Sequence, residues 1–127
     1  MSHQLIIKGS LRRARFTLDL DLAVDLSKPL GIMGATGAGK TTLLRVIAGL
    51  ERDFSGRVEF RGEIWRGDDR YDQVPTHQRG LGVVFQDGRL LPGRTVENNL
   101  AFAQQRARNV DAVVSYDALT EALDLNH

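Results

Sequence analysis

The sequence has no cysteine, and its 127 residues include only three prolines, two tyrosines and one tryptophan. The absence of cysteine excludes a disulfide scaffold, thiolate metal ligands and cysteine catalysis, and it fits a reducing compartment. The three histidines, His3, His77 and His127, are far apart and share no ligand spacing. The sequence therefore gives no indication of a zinc site.

Long apolar runs and a strong charge of one sign are also missing. The apolar stretches are much shorter than a membrane span, and residues 1–4 lack the charged lead and apolar block of a signal peptide. A net charge of +1 gives no reason to expect a nucleic-acid partner. The arginines at positions 12, 13 and 15 are followed by Asp19 and Asp21, which favours a solvated hairpin. Any membrane role is therefore expected to come through a partner.

Alternating apolar and polar residues predict an antiparallel β region. Residues 5–8 and 16–22 are predicted strands, with Gly9 and Ser10 as the turn between them. Residues 56–65 predict a hairpin with its turn near Gly62. We interpret Trp65, in that hairpin, as a packing residue rather than a ligand-stacking one.

Two continuous apolar runs, residues 29–33 and 81–85, predict buried strands. The first leads into a glycine-rich segment, and a helix is predicted beyond it with Leu43, Val46, Ile47 and Leu50 on one face. Further along, Thr95 is the predicted cap of a second helix, whose apolar face is Val96, Leu100 and Ala103. A last helix is predicted over residues 117–125, with Leu119, Ala122 and Leu123 as its apolar residues.

The glycine-rich segment completes the phosphate-loop pattern G-x-x-x-x-G-K-S/T at Gly34, Gly39, Lys40 and Thr41. Glycines let the backbone amides wrap closely around an anion, and the positive end of the following helix points at the same place. Lys40 can reach the outer phosphates, and the Thr41 hydroxyl can ligate Mg²⁺. The alternative is a glycine turn followed by an unrelated lysine. The predicted strand before the motif and helix after it favour phosphate binding.

Residues 34–50, GATGAGKTTLLRVIAGL, resemble the ABC-transporter ATPase family, in which G-x-S/T-G-x-G-K-S/T-T-L-L and a following A-G-L recur. Residues 79–86 resemble the family's run into its Q-loop, where Gln86 matches the glutamine. The Phe-Gln-Asp, Leu-x-Pro and Val-x-x-Asn-Leu combination over residues 85–100 is most similar to ATP-binding subunits of molybdate importers.

This resemblance implies an α/β fold: a P-loop NTPase core with an N-terminal antiparallel β region, truncated before the signature helix. Residues 1–127 would be the N-terminal part of a single ABC-type ATP-binding domain. The family's L-S-G-G-Q signature, its strand ending in Asp-Glu and its switch histidine do not occur in these residues. Because His127 follows no such motif, the switch role is not assigned to it.

The resemblance also implies the roles of individual residues. Gln86 would be catalytic, approaching the attacking water and, with Thr41, the Mg²⁺ ion; taken alone, it would be a solvated glutamine at a strand end. Phe16 is the candidate for stacking on the adenine, with a core phenylalanine as the alternative. Residues 87–96 would lie near the groove that receives a helix of the membrane subunit. The residues expected to bind nucleotide are Gly34, Ala35, Thr36, Gly37, Ala38, Gly39, Lys40, Thr41, Thr42 and Phe16.

The function implied is that of an ATP-binding subunit of an importer, using ATP and Mg²⁺ to drive transport of an oxyanion such as molybdate. Its partners would be a transmembrane permease, a second ATP-binding subunit and, indirectly, a periplasmic binding protein, at the cytoplasmic face of the inner membrane. We expect these 127 residues alone not to hydrolyse ATP. One alternative is a nucleotide-binding module without turnover. A P-loop kinase or GTPase is disfavoured, since the guanine motif N/T-K-x-D is absent.

Overall fold

The chain divides into two compact units, Met1–Val83 and Val84–His127, here called the N-terminal and C-terminal units. The computed structural model describes residues 2–69, 72–107 and 115–125. His127, for which no switch role is predicted, lies outside the described residues.

The N-terminal unit contains one antiparallel sheet, with strand order β2-β1-β3-β4. A helix, α1, follows the glycine-rich segment and spans Lys40–Ala48, as predicted. The sheet confirms the predicted antiparallel β region. Its strands are β1 (Gln4–Arg12), β2 (Thr17–Asp25), β3 (Ser55–Phe60) and β4 (Glu63–Arg66).

The predicted hairpin around Gly62 is present and joins β3 to β4. Its two turn residues, Arg61 and Gly62, both have positive φ, 54° and 80°, which is the backbone that a two-residue hairpin of matching twist requires. Trp65 is buried, and its ring centroid lies 5.2 Å from that of Phe60. The interpretation of Trp65 as a packing residue is confirmed.

The predicted turn at Gly9 and Ser10 is wrong, because β1 continues through both residues to Arg12. Gly9 lies directly opposite Gly56 of β3. A Cβ atom on Gly9 would lie 2.2 Å from the Ser55 carbonyl oxygen and 2.8 Å from Cζ of Phe54. This glycine therefore permits a close approach between two strands, which a sequence pattern does not distinguish from a turn.

The core of the N-terminal unit forms where the sheet and α1 share one hydrophobic cluster. Alternate residues of β1 are buried, as the period of a strand with one covered face requires. Val46 of α1 joins the cluster fully, and Leu43 and Ile47 join it in part. The predicted helix face is confirmed for these three residues, whereas Leu50 lies beyond the end of α1. The buried members are Leu5, Ile7, Leu11, Leu20, Val46, Phe54, Val58 and Trp65.

Neither continuous apolar run forms a strand, so the predictions for residues 29–33 and 81–85 are wrong. The side chains of Met33 and Val84 are 96% and 99% exposed. A strand of this composition is stable when neighbours pair with it and elements cover both its faces. Among the described residues, the pairings of the four strands and the single bridge between Arg66 and Gln73 leave these runs without a partner.

The C-terminal unit contains helices α2 (Val96–Arg106) and α3 (Tyr116–Ala122). The predicted cap of α2 is confirmed, since Thr95 Oγ1 accepts a hydrogen bond from the Asn98 amide at 3.2 Å. The predicted apolar face of α2 is wrong, because Val96 and Ala103 are exposed and Leu100 is only half-buried.

Helix α3 is shorter than predicted, and its predicted apolar face is wrong. Leu119 and Leu123 are exposed, whereas Thr120 is buried. The Thr120 hydroxyl donates to the Asp117 carbonyl at 3.0 Å, which satisfies it locally. The face that a short helix buries is decided by what packs against it, and periodicity does not specify that partner.

Within the part of the chain that the structure describes, no helix has both the length and the apolar character needed to span a membrane.

We expect Gly9→Ala to destabilise the protein by about 1–3 kcal/mol, because the new methyl group must displace strand backbone. The measurement is the urea unfolding midpoint. Gly31→Ala is the matched control, since a Cβ atom there meets nothing within 4 Å. Equal midpoints for the two variants would contradict the close approach of β1 and β3.

Candidate functional site

The phosphate-loop residues form a tight turn directly before α1. The Ala38 amide donates to the Ala35 carbonyl at 3.1 Å, which closes the turn. Gly37 and Gly39 have φ of 84° and 101°, a conformation that side chains with a Cβ atom rarely adopt. The two glycines therefore set the backbone path of the loop.

The Lys40 side chain folds back over this loop. Its Nζ donates to the carbonyl oxygens of Gly34 and Ala35, at 2.6 and 2.8 Å. An ammonium group has three donors, so one N–H remains for a ligand while the other two hold the loop. Lys40 can therefore order the loop and contact a phosphate oxygen at the same time.

The start of α1 suits an anion. Gly39 is the residue before the helix, and its carbonyl accepts the first helical hydrogen bond, from Leu43, at 2.8 Å. No side chain among the described residues caps this end, and its first turn contains no acidic residue. Uncapped amide groups and the positive end of the helix dipole favour negative charge there. The exposed Thr41 lies one residue further along, where its hydroxyl is accessible to a metal ion bound to phosphate.

Phe16 lies in the turn between β1 and β2, with its side chain 43% exposed. It is not among the buried core residues, so the structure does not support the core alternative. Two residues further along, Leu18 of β2 packs at the start of α1: a Cβ atom on Gly39 would lie 3.2 Å from Leu18 Cδ1. The strand that follows Phe16 thus passes beside the phosphate loop.

Gln86 belongs to the C-terminal unit and lies in an exposed bend. Arg89 contacts both sequence neighbours of Gln86, and its Nε lies 2.9 Å from Asp87 Oδ2. The Arg89 guanidinium also lies over the Phe85 ring, 4.6 Å from its centroid. Gln86 is therefore held on the outside of a small local cluster, with its side chain exposed.

The family model described as ABC transporter matches residues 18–127. The chain belongs to the ABC transporter family. It is 45% identical over 112 residues to the molybdenum import ATP-binding protein ModC of Methylococcus capsulatus. The matched residues make up 88% of this chain and 31% of that protein. It is 40% identical over 114 residues to ModC 1 of Azotobacter vinelandii, 90% of this chain and 32% of that protein.

A relative whose name states a different cargo is similar over a comparable part of the chain. The chain is 39% identical over 125 residues to the Fe(3+) ions import ATP-binding protein FbpC of Yersinia enterocolitica, 92% of this chain and 34% of that protein. The chain thus spans about a third of the length of the curated relatives it matches. The resemblance to the ABC family and to molybdate importer subunits is confirmed.

Three further groups of residues make contacts that the sequence patterns did not predict. The first is Arg79, which opens the run leading to Gln86 and is 2% exposed. Its guanidinium donates to the carbonyls of Ile47, Val74 and Trp65, at 2.7, 2.8 and 3.1 Å. Burial, with a smaller effect of the nearby Arg66, lowers the pKa of Arg79. Arg79 therefore joins the end of α1 to β4.

The same arginine explains the glycine of the A-G-L motif, Gly49. Gly49 ends α1 with φ of 77°, and its amide donates to the Val46 carbonyl at 3.0 Å. A Cβ atom on Gly49 would lie 2.6 Å from Cζ of Arg79. The glycine is needed both for its left-handed backbone and for contact with the guanidinium.

The second group is Glu51 with its arginine partners. Glu51 is 8% exposed, and its carboxylate accepts hydrogen bonds from Arg13 and Arg45. Arg13 also donates to Asp53, and this bond and the charges of both carboxylates raise the pKa of Arg13. Arg12, Arg13 and Arg15 are all exposed, as predicted for a solvated hairpin, although Arg13 also pairs with these carboxylates.

The third group is Asn99 of α2 and the segment before that helix. Asn99 Oδ1 accepts from the Leu91 amide at 2.8 Å, and its Nδ2 donates to the Thr95 carbonyl at 2.9 Å. One amide side chain thereby closes residues 91–95 onto the first turn of α2. This explains the asparagine of the Val-x-x-Asn-Leu pattern physically, since both ends of its amide are used.

We expect Asn99→Ala to lower the free energy of opening at the Leu91 amide by about 0.5–1.5 kcal/mol. The hydrogen-exchange rate of that amide should therefore rise roughly 2- to 10-fold. The acceptor of that amide is removed, while the helix keeps its Thr95 cap. The measurement is amide exchange resolved at Leu91.

Asn98→Ala is the matched control, because Asn98 is the same residue type one position earlier and is exposed. The same increase in exchange for both variants would show that Asn99 does not hold the segment.

Proposed function

We propose that this chain forms part of the ATP-binding subunit of an ABC importer and that it binds Mg-ATP at its phosphate loop. The observation that carries the proposal is the position of Lys40, whose ammonium lies 2.6 and 2.8 Å from the Gly34 and Ala35 carbonyls with a donor to spare. The uncapped start of α1 and its left-handed Gly39 support it. Both features suit a polyphosphate.

In this proposal the triphosphate lies along residues 34–42, with Lys40 on the outer phosphates. The Thr41 hydroxyl supplies a ligand for Mg²⁺, and a role of Gln86 at the metal is proposed from its match to the family's Q-loop alone. Bound Mg²⁺ neutralises charge that develops on the transferred phosphoryl group. Phe16 stacks on the adenine, a role supported by its exposure and by the contact of Leu18 with Gly39.

The proposed cargo is an oxyanion, molybdate, supported by the names of two of the relatives, the molybdenum import proteins ModC and ModC 1. The proposed partners are a transmembrane permease, a second copy of the ATP-binding subunit and, indirectly, a periplasmic binding protein. The permease would hold the subunit peripherally at the cytoplasmic face of the inner membrane. Residues 87–96 are proposed to contact the permease, with the exposed Leu90 in this segment.

The proposed enzyme activity is ATP hydrolysis coupled to transport, and residues 1–127 are proposed to be the N-terminal part of its single ATP-binding domain. Binding the ground state and the transition state equally accelerates nothing. Hydrolysis also needs a positioned water and a base. The phosphate loop supplies neither, and the sequence contains no L-S-G-G-Q signature. We propose that these 127 residues alone bind ATP without turnover.

We expect Lys40→Ala to weaken binding of a fluorescent ATP analogue by about 1.5–3 kcal/mol, or roughly 10- to 150-fold. The variant loses a charge-assisted contact to phosphate. The measurement is a fluorescence titration in the presence of Mg²⁺, with phosphate release followed in the same samples.

Lys28→Ala is the control, since Lys28 is an exposed lysine of the same unit outside the loop. Equal affinities for wild type and Lys40→Ala would refute phosphate binding by this loop. Phosphate release above the Lys40→Ala level would refute the proposal that these residues lack turnover.

We expect Gln86→Ala, made in the complete transporter, to lower transport-linked ATP hydrolysis while ATP affinity stays within a few fold. The reason is that the exposed Gln86 amide is proposed to act on the attacking water rather than to hold the nucleotide. The measurements are cargo-stimulated hydrolysis and ATP affinity on the same preparation. Gln104→Ala, at an exposed position of α2, is the control. A large loss of affinity with normal coupling would contradict this role.

A further inference from the structure

Glu51 is a carboxylate that the chain buries just after α1 and pairs with two arginines from different elements. Its Oε1 accepts from Arg45 Nε at 2.6 Å, and its Oε2 accepts from Arg13 Nη2. A charge that is removed from water costs several kcal/mol unless its partners compensate. Both carboxylate oxygens are used here, so the burial is compensated on both sides.

The two arginines connect this carboxylate to the two sides of the candidate nucleotide site. Arg45 is a residue of α1, the helix that starts at Lys40. Arg13 lies in the turn between β1 and β2, and its amide donates to the Phe16 carbonyl at 2.8 Å. The carboxylate of Glu51 thus ties the turn that carries Phe16 to the helix that carries the phosphate loop.

We propose that Glu51 is a positioning residue for the base of the bound nucleotide, because it fixes the Phe16 turn relative to the phosphate-binding end of α1. This inference rests on the proposed binding of ATP. Glu51 does not touch the ligand in this account; it acts through Arg13 and the turn. The phosphates are bound by the loop and by Lys40, so their binding does not depend on Glu51.

The proposal separates two ligands that share phosphates and differ in the base. Glu51→Gln keeps the shape of the side chain and removes its charge. We expect this variant to lose roughly 3- to 10-fold in affinity for Mg-ATP, a part of what aromatic stacking on a base contributes. Its affinity for inorganic tripolyphosphate is expected to stay within about 2-fold of wild type, since no base is present to be positioned.

The control for charge and for loss of an ion pair is Glu59→Gln. Glu59 is half-buried on β3, and its Oε2 lies 2.6 Å from Arg57 Nη2. This variant changes the net charge by the same amount but leaves the Phe16 turn untouched. We expect it to leave the ratio of ATP to tripolyphosphate affinities unchanged.

A second pair of variants tests the path through Phe16. Phe16→Ala is expected to lower ATP affinity selectively, and adding Glu51→Gln to it is expected to cost no more than about 2-fold, because residues that act through one another are not additive. If Glu51→Gln does not fold, Arg13→Gln takes its place, since it removes the bond on the turn side and leaves the Arg45–Glu51 pair.

The outcomes are distinct. Equal losses for ATP and tripolyphosphate in Glu51→Gln, or no loss for either, would overturn the positioning role while leaving ATP binding intact. Full additivity with Phe16→Ala would overturn it too. A wild-type chain that binds neither ligand would refute the proposed function, and this inference with it.

Discussion

The buried guanidinium of Arg79 is the interaction on which the N-terminal unit depends. It satisfies carbonyl groups at the end of α1, on β4 and in the segment after β4. The negative end of a helix dipole favours a cation at this position, and the planar fork of arginine reaches several carbonyls at once. Since α1 is fixed at its last turn by Arg79 and along its length by the core, its first turn, with Lys40, is fixed as well.

Much of this unit follows from local patterns in the sequence. Alternation predicts the hairpins, and the glycines and Lys40 predict a turn entering a helix, because each depends on residues close together in the chain. Gly9 was misjudged because glycine marks both turns and close strand approach. Glu51 gave no signal, since its partner Arg13 is distant in sequence and its burial arises only from the fold.

The two continuous apolar runs show where local patterns stop being informative. Their composition suits a strand in the middle of a sheet, but hydrogen-bonded neighbours decide whether such a strand forms. Residues 29–33 and 81–85 have no such neighbours among the described residues, and Met33 and Val84 remain exposed. The same reasoning applies to Gln86. Its place in the order of motifs is visible in the sequence. The bend in which it lies depends on the contacts of Arg89 with Asp87 and Phe85, which no pattern predicts.

The phosphate loop and the Gln86 bend are both held by a cation folded back on its own loop, but the energies differ. Lys40 makes two charge-assisted bonds, at 2.6 and 2.8 Å, to the carbonyls of neighbouring residues, so the loop is held in place without a ligand. The Arg89–Asp87 pair is exposed, a class worth about 0–1 kcal/mol. Arg89 itself has a φ of 48°, a left-handed backbone that costs about 1–2 kcal/mol. These terms are of similar size, so the bend is held only weakly. A rigid cradle is what phosphate binding requires, and a weakly held bend suits the sensing role proposed for Gln86.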